Sequence, residues 1–145
     1  MPETDPILFE LQRLRADVDE LLRGEFSYLA AGTYTPTLTN VVNVAASTAY
    51  ACQYMRVGNV VTVSGRVDID PTSAAPTATE LGISLPVASA LTAGTQLAGT
   101  AWSLNVSSQG GPVLADTVND RASYQFLAQS AANAANFFIF TYQIL

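Results

Sequence analysis

TAYACQYMRVGNVVTVSGRVDI, residues 48–69, is the stretch of sequence that decides the fold. Two runs rich in β-branched and aromatic residues flank the pair Gly58-Asn59, which is typical of a two-residue hairpin turn. The second run alternates between apolar and polar residues, as a strand with one buried and one solvated face does. Its apolar face carries Val61, Val63, Val67 and Ile69, and its polar face carries Thr62, Ser64, Arg66 and Asp68. The pattern predicts an antiparallel hairpin with strands at 48–57 and 60–69. Gly65 interrupts the apolar face and predicts either a bulge or a close crossing of another segment of the chain.

Similar short runs recur along the rest of the chain, separated by Gly, Pro, Ser, Thr and Asn. They predict further strands at 36–42, 80–85, 96–106, 121–129 and 136–145, with loops at 70–80 and 107–112. Residues 128–138 are small and polar and predict a tight loop or one helical turn. Seven or eight short strands of this kind predict a mainly β domain at 36–145, built as an antiparallel β-sandwich or jelly roll.

The first 24 residues differ in character from the rest and predict a helix. Asp5 is a suitable N-cap, Pro6 suits the first helical position, and Gly24 is a suitable stop. The apolar residues follow a 4-3-4-3 spacing, which is a heptad pattern: Ile7, Leu11, Leu14, Val18 and Leu21. The pattern predicts a coiled coil over residues 1–24, followed by a connector at 25–35. The alternative is an amphipathic helix packed on its own domain, which the additional apolar residues Leu8 and Leu22 favour.

The last predicted strand is apolar on both faces. Phe138, Phe140, Tyr142 and Ile144 lie on one face, and Phe137, Ile139 and Leu145 lie on the other. Such a strand is normally buried on both sides. We therefore predict that Phe138, Phe140 and Tyr142 contribute to a subunit interface; the alternative is a central strand covered by a loop.

The composition argues against most enzyme classes and several kinds of partner. The chain has 145 residues, a net charge of −6, one Cys and no His, and all six of its basic residues are Arg. Ser-His-Asp catalysis, His-ligated metals, Schiff-base chemistry and intrachain disulfides are therefore excluded, and we predict no enzyme activity, cofactor or metal. Phosphate backbones and anionic membrane surfaces attract basic proteins, so we predict binding to neither. No apolar run approaches the roughly 18 residues of a membrane span, so we also predict no membrane insertion. The N-terminus lacks the features of a signal peptide, which predicts synthesis in a cytosol.

Few residues are candidates for ligand binding. Trp102, with Asn105 and Gln109 nearby, is a candidate sugar-stacking platform, although a sandwich of this size usually buries its lone Trp. Asp68 and Asp70 could together bind a cation, but a solvated strand end is the favoured interpretation of this pair. Asp116 and Asp120 could do the same, but a turn with Asp120 near Arg121 is the favoured interpretation of this second pair. Ser64 has no basic partner to activate it, and Cys52 is expected to be a small buried residue.

Five segments together resemble a β-domain of tailed-bacteriophage virion proteins, the tail-fibre and appendage proteins: GTYTPTLTN (32–40), residues 47–72, ELGISLPVAS (80–89), NDRASYQF (119–126) and FFIFTYQIL (137–145). The resemblance implies a homotrimer in which a coiled coil or shaft leads into a β-sandwich head, and it supplies no catalytic residues. It implies a short fibre or spike of the virion, assembled in the host cytoplasm, that attaches to the host surface.

Other functions remain open at this point. The same architecture suits a capsid decoration protein or head fibre, anchored to other virion proteins by residues 1–24. A carbohydrate-binding module that recognises a host surface glycan through Trp102 is an alternative of a different class.

Overall fold

The computed structural model describes residues 5–26 and 29–145. Within them a single α-helix, α1 (Pro6–Phe26), precedes ten strands, which confirms the mainly β class with an N-terminal helix. The strands are β1 (Leu29–Tyr34), β2 (Leu38–Val42), β3 (Val44–Ala49), β4 (Cys52–Val57), β5 (Val60–Pro71), β6 (Thr77–Ser84), β7 (Leu97–Ser103), β8 (Gly110–Asp116), β9 (Arg121–Ala128) and β10 (Ala134–Gln143). Residues 1–4 of the predicted coiled coil and residues 27–28 of the predicted connector lie outside the described residues.

The helix begins where the sequence predicts it. The Oδ1 atom of Asp5 accepts a hydrogen bond of 3.0 Å from the N–H of Ile7, so Asp5 is the N-cap, and Pro6 is the first helical residue. The helix continues past Gly24, the predicted stop, and ends at Phe26.

The strands of the described chain form one antiparallel sheet that curls around a core. The order of the strands is β1-β4-β5-β10-β7-β8-β9-β6-β2, and β3 pairs with β5. β5 is long enough to pair with both β4 and β3 along one edge, while β10 follows its other edge. β2 pairs with β6, and the chain runs directly from β2 into β3, which pairs with β5. The connection from β2 to β3 therefore links the far side of the sheet to its centre.

Asn43 makes the link between β2 and β3. Its φ of 54° lies in the left-handed region, which Asn adopts more readily than most residues. Its side chain receives a hydrogen bond of 2.9 Å from the N–H of Ser73 and donates one of 2.8 Å to Oγ1 of Thr79. These bonds hold the corner against the loop before β6.

The hairpin of residues 48–69 has the predicted turn and the predicted apolar face, whereas on the predicted polar face Asp68 is buried. Gly58 has a φ of 62°, and Val57 pairs with Val60 across the turn. The predicted apolar face is fully buried: Val61, Val63, Val67 and Ile69. The first predicted strand is divided, because β3 ends at Ala49 and β4 begins at Cys52.

The core lies inside the curl and includes aromatic side chains from β9 and β10. Tyr124 stacks on Phe126, and Phe138 stacks on Phe140. The hydroxyl of Tyr142 donates a hydrogen bond of 2.7 Å to the carbonyl oxygen of Val87, so this buried polar atom is satisfied.

The interface predicted at Phe138, Phe140 and Tyr142 needs correction. All three side chains are buried in the core of their own chain, because β10 is a central strand between β5 and β7. Only the opposite face of β10 is open, where Phe137 is partly exposed and Ile139 is exposed. The alternative, a central strand of the domain, therefore describes β10 better.

Several predicted loops are strands. Residues 29–34, assigned to the connector, form β1, and residues 44–47, between two predicted strands, belong to β3. β6 begins at Thr77, within the predicted loop 70–80, and β8 begins at Gly110, within the predicted loop 107–112.

Candidate functional site

The most exposed apolar surface of the chain lies on α1. We call Ile7, Leu11, Leu14, Val18 and Leu21 the helix seam. Each of these side chains is between 45% and 71% exposed, and Leu8, Phe9 and Leu22 are exposed as well. The alternative of a helix that buries its apolar face against its own domain is therefore wrong for the described residues.

The charged residues beside the seam remain available to a neighbouring chain. Glu10 forms an ion pair of 3.8 Å with Arg13 in the same helix, and both side chains are 66% exposed. Arg15 is also exposed, and in a parallel coiled coil its heptad position e lies opposite position g, that of Glu10, of another chain. An exposed pair of this kind contributes little stability, so it does not hold Glu10 in place.

Trp102 lies on the outer face of the sheet and is 49% exposed. The favoured interpretation of Trp102 as a core residue is therefore wrong. It lies in β7 directly opposite Phe137 of β10, and both residues line an open groove of about 460 Å³. The groove also contains Gln53, Ser64 and Arg66, so it combines an aromatic surface with hydrogen-bonding groups.

The other two candidate ligand contacts are not part of this groove. Oδ1 of Asn105 accepts a hydrogen bond of 3.2 Å from the N–H of Ala135, which ties the β7–β8 loop to β10. Gln109 is only 3% exposed, and its Oε1 accepts a hydrogen bond of 2.9 Å from the N–H of Gln129. A residue buried in this way cannot reach a ligand on the surface, so the prediction for Gln109 is wrong. Its Nε2 atom has no partner among the described protein atoms.

Asp68 belongs to a cluster of side chains rather than to a cation site with Asp70. Arg66 donates two hydrogen bonds to its carboxylate, at 2.8 and 2.9 Å, and the hydroxyl of Tyr50 donates a third at 2.9 Å. The guanidinium of Arg66 also lies 4.6 Å from the centre of the Tyr50 ring. The hydrogen bonds from Arg66 hold the pKa of Asp68 below its ordinary value.

Asp116 and Asp120 serve separate structural roles. Asp116, rather than the predicted Asp120, pairs with Arg121, at 2.7 Å. Asp120 accepts hydrogen bonds from the N–H groups of Ser89 and Leu91, at 3.0 and 2.8 Å. Among residues 5–26 and 29–145, no three His, Cys, Asp or Glu side chains are grouped as a metal site would need.

The single thiol, that of Cys52, is buried in the core, whereas the described apolar side chains of α1 are exposed. Cys52 is completely buried, as predicted, and burial raises the pKa of its thiol. In the part of the chain that is described, no helix is long and apolar enough to cross a membrane.

Comparison of the chain with protein-family models, with curated proteins and with solved structures finds no match. The candidate surfaces described above are the helix seam and the groove at Trp102.

Proposed function

We propose that this protein is a structural, non-enzymatic component of a tailed-bacteriophage virion, a short homotrimeric fibre or spike that attaches to the host surface. The observation that carries the proposal is the exposed helix seam. Most of the stability of a helix in a protein comes from packing of its apolar face, so a stable α1 needs a partner for its apolar side. The heptad spacing fits a partner of the same kind, a second and third copy of α1.

The β-sheet that follows α1 is suited to form the head of such a fibre. The curled antiparallel sheet supports this part of the proposal, because the resemblance to tail-fibre proteins implies a head made of β structure. Three heads on one stalk bind a surface by avidity, which raises the overall affinity by about 10²–10⁴-fold even when each contact is weak. The N-terminal segment is then the end that meets other virion proteins.

The native mass of the full chain tests this proposal. Light scattering after size exclusion should give three times the chain mass of 15.3 kDa. Replacing Leu14 by Asp places a carboxylate in the seam and should give a monomer. Ala16→Asp adds the same charge to the same helix but away from the heptad positions, and should leave the trimer intact. A wild-type monomer, or equal behaviour of the two variants, would refute the coiled coil.

A capsid decoration protein or head fibre would use the same trimer. This alternative requires a fixed copy number on the particle, matched to sites of the capsid lattice. Labelled antibody on whole particles distinguishes the two locations, because it marks either the capsid or the tail.

The exposure of Trp102 favours a carbohydrate-binding module as the second candidate function. The half-exposed indole of Trp102 and the ring of Phe137 provide an apolar surface, and Gln53 and Ser64 provide hydrogen-bonding groups in the same groove. Ligand sites commonly combine these two features. This function does not exclude the first, because the same groove would serve a fibre that recognises a surface glycan.

A further inference from the structure

Four large apolar side chains are exposed together where the chain enters the sheet. They are Leu29, Met55, Val57 and Val60, which we call the basal patch, and they are between 43% and 55% exposed. Leu29 pairs with Val57, and Val57 pairs with Val60, so these three side chains lie on one face of β1, β4 and β5. Met55 precedes Val57 by two residues in β4 and therefore lies on the same face.

The groove beside the basal patch is lined by uncharged residues. Beyond Met55 an open groove of about 530 Å³ continues along the same strands, and its lining contains no Asp, Glu, Arg or Lys: Ala31, Thr33, Gln53, Met55, Thr62 and Ser64 form its outward side. The charged Arg56 lies on the other face, where its Nε donates a hydrogen bond of 2.7 Å to the carbonyl oxygen of Gly58. In a chain with a net charge of −6, a face without carboxylates lets two copies meet with no like charges opposed.

The edge of the sheet is unprotected at the same place. β1 pairs only with β4, so the backbone groups along its other side are not part of the sheet. Its sequence, LAAGTY, contains neither the charged residues nor the proline that commonly protect an exposed edge. An edge of this kind favours association with another chain.

The length of the chain between helix and sheet fixes where the basal patch lies. α1 ends at Phe26 and β1 begins at Leu29. Three residues span at most about 11 Å, and packed helices lie about 8–10 Å apart. If copies of α1 pair in parallel, Leu29 of every copy must therefore lie close to the axis of the assembly.

We propose that the basal patch packs against the head of a second copy of this chain, so that the heads of the assembly contact one another directly. The inference rests on the proposed parallel association of α1. Four side chains are far fewer than the about 20–30 residues a side of a standard interface, so the patch cannot hold the assembly by itself. Once the helices associate, the effective concentration of the heads is in the millimolar range, and a small apolar contact is sufficient.

Site-specific cross-linking of the full chain tests the contact. Met55→Cys places a thiol in the patch, and Leu127→Cys is the matched control, because Leu127 is similarly exposed, at 52%, on the distant strand β9. The native Cys52 is completely buried, and wild-type protein measures its background. A flexible bis-maleimide should link two copies of M55C, and at about 10 μM protein the initial rate should exceed that of L127C by about a hundredfold.

A second variant measures the contribution of the patch to assembly. Met55→Asp should raise the dissociation constant of the oligomer by about tenfold or more, because it brings like charges together near the axis, whereas Leu127→Asp should leave it unchanged. If wild-type protein is monomeric at every concentration, the proposed function fails together with this inference. If wild type is trimeric but M55C and L127C cross-link equally slowly, only the contact between heads is refuted.

Discussion

At the scale of single residues, Gly65 shows how close packing restricts the sequence of a central strand. The sequence predicts a bulge or a close approach there. The pairing of β5 with β10 continues through Gly65 without a shift. On the other edge of β5, the three residues 50–52 lie opposite residues 65 and 66, so the extra residue of an irregularity is in the partner strand and not at Gly65 itself. The close approach is confirmed. A Cβ atom at this position would overlap the sulfur of Cys52 and lie 2.7 Å from its Cβ. The side chain of Cys52 thus fills the space that any other residue at position 65 would need.

We predict that Gly65→Ala lowers the free energy of unfolding by about 1–3 kcal/mol, the usual cost of overpacking a core. Urea unfolding measures this loss. Gly94→Ala is the control, because nothing lies within 4 Å of the added Cβ, and its effect should stay within about 0.5 kcal/mol. In the double variant Cys52→Ala with Gly65→Ala, removal of the sulfur should make the total loss smaller than the sum of the single losses. An additive loss would contradict the direct contact.

Asp120 supports a second prediction, on the dependence of stability on pH. Its burial alone would raise its pKa, but the N–H groups of residues 89–91 outweigh that effect and hold the pKa below its ordinary value. A lowered pKa in the folded state stabilises the fold above the unfolded value of about 3.9, and that stability is lost as the pH falls through the folded pKa. Asp120→Asn keeps the side-chain shape and the tolerance for its φ of 50° but removes the charge.

At pH 7 we expect Asp120→Asn to be less stable than wild type by about 1.5–3 kcal/mol, the range for hydrogen bonds to charged groups. The difference should shrink towards zero below the folded pKa, where Asp120 is protonated and resembles Asn. Free energies of unfolding from urea titrations at a series of pH values give this difference directly. A difference that stays constant with pH would show that the carboxylate contributes no charge-dependent stability.

The sequence contains a signal for the exposure of Trp102 but none for the burial of Gln109. Leu97 and Ala101 face the core from β7, and Trp102 has the opposite parity in that strand, so alternation alone predicts that it faces outward. The general tendency to bury a lone Trp favoured the wrong interpretation. Gln109 precedes β8 in a loop without periodicity, and its burial depends on Gln129, which lies 20 residues away in sequence.

At the scale of elements, prediction succeeded where the local pattern was strong. The hairpin turn at Gly58 and the apolar face of β5 follow from residues 48–69 alone. The sequence pattern misses β1, β8 and most of β3, because half or more of the residues in each are Ala, Gly, Pro or Asp, which are depleted in strands. β1 becomes a strand by pairing with β4, β3 by pairing with β5, and β8 by pairing with β7 and β9. A short window of sequence does not contain both partners of such long-range pairs and cannot reveal them.

The separation of α1 from the core leads to a prediction for the isolated head. Among the described residues, every buried apolar side chain lies between Pro36 and Tyr142, and the seam of α1 is exposed. A chain comprising residues 29–145 should therefore unfold cooperatively and keep the far-UV circular dichroism of β structure, while losing the native mass of the oligomer. Mass by light scattering and melting by circular dichroism test both parts. An unfolded or aggregated fragment would show that the helix is needed for the fold of the head.

At the scale of the whole molecule, the curl of the sheet follows from pairings that join distant parts of the chain. β5 pairs with β10, and β6 pairs with β9, across separations of roughly 40–80 residues. The alternation of apolar and polar residues within a strand is a local property, whereas the order of the strands is not. For this reason the sequence supports the mainly β class more firmly than any particular arrangement of sheets.

The joint arrangement of stalk and groove predicts how binding to a host surface should depend on each part. Trp102→Ala should weaken binding of labelled protein to host cells while leaving the native mass and melting temperature unchanged, because the indole is half exposed on the outer face. Leu127→Ala, similarly exposed outside the Trp102 groove, is its control. Leu14→Asp keeps the groove but removes the multivalency, so its apparent affinity should fall by about 10²–10⁴-fold.

If Trp102→Ala binds like wild type while Leu14→Asp does not, then attachment depends on another surface of the trimer. If wild type binds no cell but binds capsids at a fixed copy number, decoration replaces attachment as the function.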